Sequence, residues 1–131
     1  MNTARQLVLF LSMGLVCLAC ATAPPSPTRT GYEQVQALAR TAIREGALVI
    51  DVRTPEEFAQ GHIDGALNIS HDQIQDRTSE IPGDRSRVIV LYCRSGRRSG
   101  IAEKVLREQG FTGAVNAGGF ENLKAALGRG D

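Results

Sequence analysis

The chain has 131 residues, enough for one domain of ordinary size. Its 15 basic and 14 acidic residues leave a formal charge of +1, which excludes the basic excess of a nucleic-acid binder. With 42% apolar and 22% charged residues it is a folding composition, and with no Trp its core has to come from Ala, Val, Ile and Leu.

In chain order, the first segment stands apart. Arg5 precedes an uncharged run from Leu7 to Ala23, broken by Ser12 and Gly14 and closing on Ala19-Cys20-Ala21-Thr22-Ala23. This is the pattern of a signal peptide over residues 1–19; an uncleaved anchor is the alternative, at the short limit for spanning a bilayer. Two endings fit. Leu18-Ala19-Cys20 resembles a lipobox, with Cys20 as the lipid anchor, although Cys17 stands where that pattern has Leu, Val or Ile. Ala19-Cys20-Ala21 also fits a small-x-small site that releases a soluble chain. The lipoprotein-like ending is the one adopted, so the expectation is an exported, periplasmic protein, membrane-anchored through Cys20. Residues 20–30, with Pro24-Pro25-Ser26-Pro27, read as a Pro-rich linker, and residues 31–131 as the folded domain.

Val35, Leu38, Ala39, Ala42 and Ile43 follow helical spacing up to Gly46. Ala47–Val52 is a short apolar run, as in a strand buried on both faces. Thr54-Pro55-Glu56-Glu57 is a helix start, with an N-cap, Pro at the first position and acids in the first turn; Gly61 ends that helix. Ala66–Ile69 reads as a second strand, Ser70 as the cap of a short polar helix, and Pro82-Gly83-Asp84 as a turn. Arg87–Tyr92 is the strongest strand. A helix starts at about Ser99, carries Ile101, Ala102, Val105 and Leu106, and stops at Gly110. Gly113–Val115 is a last short strand, and Gly118-Gly119 turns into a helix with Phe120, Leu123, Ala126 and Leu127. Strands alternating with helices predict an α/β fold, a mostly parallel central sheet flanked by helices.

Such sheets bind ligands where strands end and helices begin. The strongest strand runs into Cys93-Arg94-Ser95-Gly96-Arg97-Arg98-Ser99. Backbone N–H groups of this loop, the helix N-terminus and three Arg all favour a thiolate at Cys93, which makes it a candidate nucleophile. The plainer reading is a buried Cys acting as a small hydrophobe, with Arg residues facing water. Two observations favour the first. Without the leader, Cys93 is the only free thiol, a liability in an oxidising compartment, and its loop lacks apolar residues to bury it. Two separated His and one Cys have no ligand spacing, so neither a metal nor a cofactor is expected.

Four motifs then come into line: Ile50-Asp51-Val52-Arg53-Thr54-Pro55-Glu56-Glu57-Phe58, Gly61-His62-Ile63-Asp64-Gly65-Ala66-Leu67-Asn68-Ile69, Tyr92-Cys93-Arg94-Ser95-Gly96-Arg97-Arg98-Ser99 and Asn116-Ala117-Gly118-Gly119-Phe120. Together, across about Gly31 to Leu127, they resemble a rhodanese domain, most nearly the small periplasmic single-domain rhodaneses of the phage-shock group. The resemblance implies a rhodanese-like fold and a thiosulfate sulfurtransferase. It implies that Cys93 attacks the sulfane sulfur of thiosulfate and, as a persulfide, passes it to cyanide or a thiol. It also implies that the backbone from Arg94 through Ser95, Gly96, Arg97 and Arg98 to Ser99 cradles the persulfide, and that the three Arg hold the dianion. Asp51 and Arg53 are supporting candidates, with an Arg53–Glu57 surface pair as the alternative. For His62 a capping or packing role is expected. Asp64 stands where the family usually has Pro, and Leu123 where many members have Trp.

Two other functions compete. A cysteine phosphatase or arsenate reductase needs Arg six positions after the Cys; that position is Ser99, and Arg98 falls one short. A noncatalytic rhodanese-like binding or sensor module usually lacks the Cys that this chain retains, which leaves a thiol sensor using a reactive Cys93 as the alternative of that class. The expected partners are a small-molecule sulfur donor and a thiol or cyanide acceptor, with no nucleic acid, and the expected state is a monomer.

Overall fold

Five consecutive side chains, Ile89 to Cys93, are buried, because this strand is covered on both faces. The computed structural model describes residues 29–129, so the leader and most of the linker lie outside the described residues. The strand Ile89–Cys93 (β3) pairs in parallel with Leu48–Asp51 (β1) on one side and Ala114–Gly119 (β4) on the other. Leu67–Asn68 (β2) adds to β1, giving the order β2-β1-β3-β4 with every pair parallel.

Alternation along β3 divides the core. Ile89, Leu91 and Cys93 join Ile50, Ile69 and Ile74 on one face, against Ala102 and Leu106 of the helix Arg97–Glu108 (α3). Val90 and Tyr92 join the other face, against Ala39 of the helix Arg29–Arg44 (α1) and Leu123 of the helix Phe120–Gly128 (α4). The short helix Pro55–Ala59 (α2) follows β1. The fold is thus the α/β arrangement expected, a parallel sheet with helices on both faces. Among the described residues no helix is long and apolar enough to cross a membrane.

Several elements differ from the sequence reading. Helix α1 begins at Arg29, two residues ahead of Gly31. Leu38 and Ile101 are exposed, each standing one residue, about 100° of helix rotation, from a position that does face the sheet. The segment after Ser70 has Ile74 as its buried apolar anchor, and instead of a helix it forms turns and one 3-10 turn, Thr78–Glu80. Strand β4 runs on through Asn116-Ala117-Gly118-Gly119, because Leu91 pairs Asn116 while Cys93 pairs Gly119. Three residues on β4 advance against two on β3, a bulge at the sheet's C-terminal end.

Candidate active site

Since every strand runs the same way, β1, β3 and β4 deliver Asp51, Cys93 and Gly119 to one edge of the sheet. The described residues hold one cysteine, Cys93, and its thiol is free. It is fully buried, against the expectation that a polar loop would leave it uncovered. The reason is that Cys93 still belongs to β3 and packs into the α3-side core, while the loop folds backbone over its polar side. Gly96 takes φ +96, a left-handed conformation, and its N–H donates to Cys93 Sγ at 3.0 Å. The Ser99 hydroxyl reaches the same sulfur at 3.5 Å. Burial pushes the thiol pKa up. Hydrogen bonds from the Ser99 hydroxyl and from the Ser99, Ser95 and Gly96 backbone prevail and hold it below its ordinary value.

Asn116 clamps this loop to β4. Its Nδ2 donates to the Gly96 carbonyl at 3.0 Å, while its Oδ1 accepts from Gly118 N–H at 2.9 Å and lies 2.7 Å from the Ser99 hydroxyl oxygen, whose one proton the amide and the Cys93 sulfur share. A side chain at Gly119 would meet the Arg94 carbonyl oxygen at 2.7 Å, so the β4–α4 junction and the cysteine loop touch backbone to backbone.

The three loop arginines part company. Arg94 is exposed and lines a cleft of about 370 Å³ together with Arg53, Glu57, Gln60, Phe120 and Glu121. Arg97 is exposed and not in the cleft wall. Arg98 is half-buried and bound bidentately by Glu57, at 2.7 and 2.8 Å. Cys93 itself does not line the cleft; the residue after it does.

Of the supporting candidates, Arg53 donates from Nε to Asp51 Oδ1 at 2.9 Å and from Nη2 to Oδ2 at 2.6 Å, both residues buried. Its Nη2 also donates to the Gly61 carbonyl at 2.7 Å, and the guanidinium lies 4.3 Å from the Phe120 ring centroid. The alternative Arg53–Glu57 pair is not formed, since Glu57 is occupied by Arg98. His62 packs: its ring stacks on Phe58 at 3.7 Å and its Nδ1 lies 3.0 Å from the Phe58 carbonyl oxygen. Asp64 is exposed, and Leu123 is fully buried in the α1–α4 core.

Sequence reasoning assigned no site role to Asn116, Gln60, Phe120 or Glu121, and read Glu57 mainly as a helix-start residue. Asn116 and Phe120 belong to the motif Asn116-Ala117-Gly118-Gly119-Phe120; Gln60 and Glu121 carry no signal.

A rhodanese-like domain family model matches residues 33–126. Among curated proteins, the thiosulfate sulfurtransferase PspE of Escherichia coli is 39% identical over 74 residues, covering 56% of this chain and 71% of that one. A sulfurtransferase of Allochromatium vinosum is 46% identical over 80 residues, covering 61% of this chain and 73% of that one. Among solved structures, a rhodanese with anions from E. coli matches at TM-score 0.56 and 38% identity, covering 59% of this chain and 91% of that chain. With the matched model spanning most of the sequence and the site built at the edge where the motifs converge, the chain belongs to the rhodanese-like domain family.

Proposed function

We propose that the protein is a thiosulfate sulfurtransferase that carries the transferred sulfur on Cys93. The similar curated proteins support the sulfurtransferase class. The observation that carries the finer reading is a free thiol at a strand end whose Sγ faces an N–H at 3.0 Å and a hydroxyl at 3.5 Å. Such donors stabilise an anionic sulfur, first as thiolate and then as persulfide.

The thiolate attacks the sulfane sulfur of thiosulfate. The new Sγ–S bond forms as the S–S bond of the donor breaks, and the electron pair leaves with sulfite. Cyanide or a thiolate acceptor then takes the outer sulfur, giving thiocyanate or an acceptor persulfide, and the electron pair of the broken bond returns to Cys93. No net oxidant is needed. Arg94 is the loop cation available to the donor at the cleft.

A phosphatase is less well supported, since both terminal nitrogens of Arg98 are bound to Glu57. We also assign the protein to the exported, periplasmic class on its leader sequence. Sulfite release from thiosulfate, measured beside phosphate release from an aryl phosphate, tests the activity. Sulfite released only when Cys93 is present supports the reading; phosphate release alone overturns it.

A further inference from the structure

Glu57 lies in the cleft wall, yet neither of its oxygens is free. Oε1 accepts from Arg98 Nη2 at 2.8 Å, and Oε2 accepts from Arg98 Nη1 at 2.7 Å and from the Thr54 N–H at 3.0 Å. The partners come from α2 and the first turn of α3, 41 positions apart, and each is about one quarter exposed, at 27% and 22%. Arg98 immediately precedes Ser99, whose hydroxyl reaches the Cys93 sulfur. The Arg98 guanidinium is held charged chiefly by Glu57 and also by the sulfur of Cys93. The pair therefore cancels a positive charge beside the nucleophile.

The other charges at this end of the sheet sharpen the point. Arg53 is cancelled by Asp51 at 2.6 Å. Arg94 on the loop and Glu121 on α4 line the cleft with no ion pair among the described residues. With Arg53 and Arg98 each paired, Arg94 is the one cation of the cleft wall without an ion pair among the described residues, and Glu121 is its one carboxylate without one.

We infer that Glu57 is a positioning residue that sets the charge preference for the sulfur donor, by holding Arg98 in a neutral bidentate pair next to Cys93. The inference rests on the sulfurtransferase reading. Removing the Glu57 charge while keeping its size returns the Arg98 charge to the site, which favours dianionic over monoanionic donors.

The variant Glu57→Gln suits the test, because Gln keeps an acceptor for the Thr54 N–H. Thiosulfate, a dianion, is compared with methanethiosulfonate, a monoanion. In Glu57→Gln the KM for thiosulfate falls by about fivefold while that for methanethiosulfonate stays within about twofold. The pH midpoint of Cys93 alkylation by iodoacetamide moves down in the same variant, since an uncancelled cation favours the thiolate. A residue that only braced the fold would lower kcat for both donors alike. That result, with the KM ratio and alkylation midpoint unchanged, overturns the inference. Should Glu57→Gln not fold, Arg98→Gln gives the converse: the exposed carboxylate raises the KM for thiosulfate more than that for methanethiosulfonate, and an equal change for both overturns it. If neither donor transfers sulfur to the wild-type chain, the sulfurtransferase reading fails, and the alkylation midpoint still decides the role of Glu57.

Discussion

Burial of Cys93 costs its thiolate hydration, and the Gly96 N–H at 3.0 Å and the Ser99 hydroxyl at 3.5 Å, with the Ser95 and Ser99 backbone, more than offset that cost. Since these donors hold the thiol below its ordinary value, Ser99→Ala moves the midpoint of Cys93 alkylation to higher pH and slows the reaction near neutrality. An unmoved midpoint in a pH series would remove Ser99 from the account. Among the arginines, placement decides the size of effect. Arg94→Gln lowers kcat/KM for thiosulfate by about 1.5–3 kcal/mol of transition-state binding, roughly 10- to 100-fold. Arg97→Gln costs under about 0.5 kcal/mol, as for a solvated side chain. Steady-state kinetics on the two variants checks the order. At this scale Cys93 was legible from its place at the end of an apolar run. Its burial was not, because the cover is supplied by β3 itself and by folded backbone rather than by apolar loop residues.

Two contacts between elements hold the cysteine loop in place. Helix α2 is closed by a capping box, with the Glu57 N–H donating to Thr54 Oγ1 at 3.2 Å and the Thr54 N–H to Glu57 Oε2 at 3.0 Å. The same carboxylate reaches across to Arg98 on α3, and that guanidinium lowers the Glu57 pKa from 4.5 to about 2. A depressed carboxylate contributes stability that is fully present above its unfolded pKa and lost as pH falls through its folded value. Glu57→Gln is therefore less stable than wild type by about 1 kcal/mol at pH 6, after allowance for screening at a partly exposed pair, and the gap closes on approach to pH 2. Urea midpoints across that range measure it; a constant gap would contradict the pairing. At the second contact, Gly119→Ala puts a Cβ only 2.7 Å from the Arg94 carbonyl oxygen, inside van der Waals contact, so the cysteine loop has to shift. Sulfur transfer falls further than stability does, as parallel activity and melting measurements would show. The start of α2 was legible because Thr54-Pro55-Glu56-Glu57 encodes its own cap. The extension of β4 was not, since Asn116-Ala117-Gly118-Gly119 carries turn residues and becomes strand only through its long-range register with β3.

For the whole molecule, the order of apolar runs and helical stripes is enough to predict a parallel α/β sheet, and a parallel sheet dictates which edge bears the site. What that pattern does not carry is the pairing of side chains brought together across the edge. Glu57 and Arg98 meet because α2 and α3 both start there, so of the three Arg read from one loop as holding the dianion, one lines the cleft, one is in a neutral pair and one lies outside the cleft wall. The leader lies outside the described residues; export predicts a mature chain lacking at least the first 19 residues, which intact mass of the native protein reports. The same instrument reaches the central claim, that Cys93 carries the sulfur. After thiosulfate, the wild-type chain gains the mass of one sulfur atom and loses it again to cyanide as thiocyanate, while Cys93→Ser gains nothing. An unchanged wild-type mass, or the same gain in Cys93→Ser, would contradict the account.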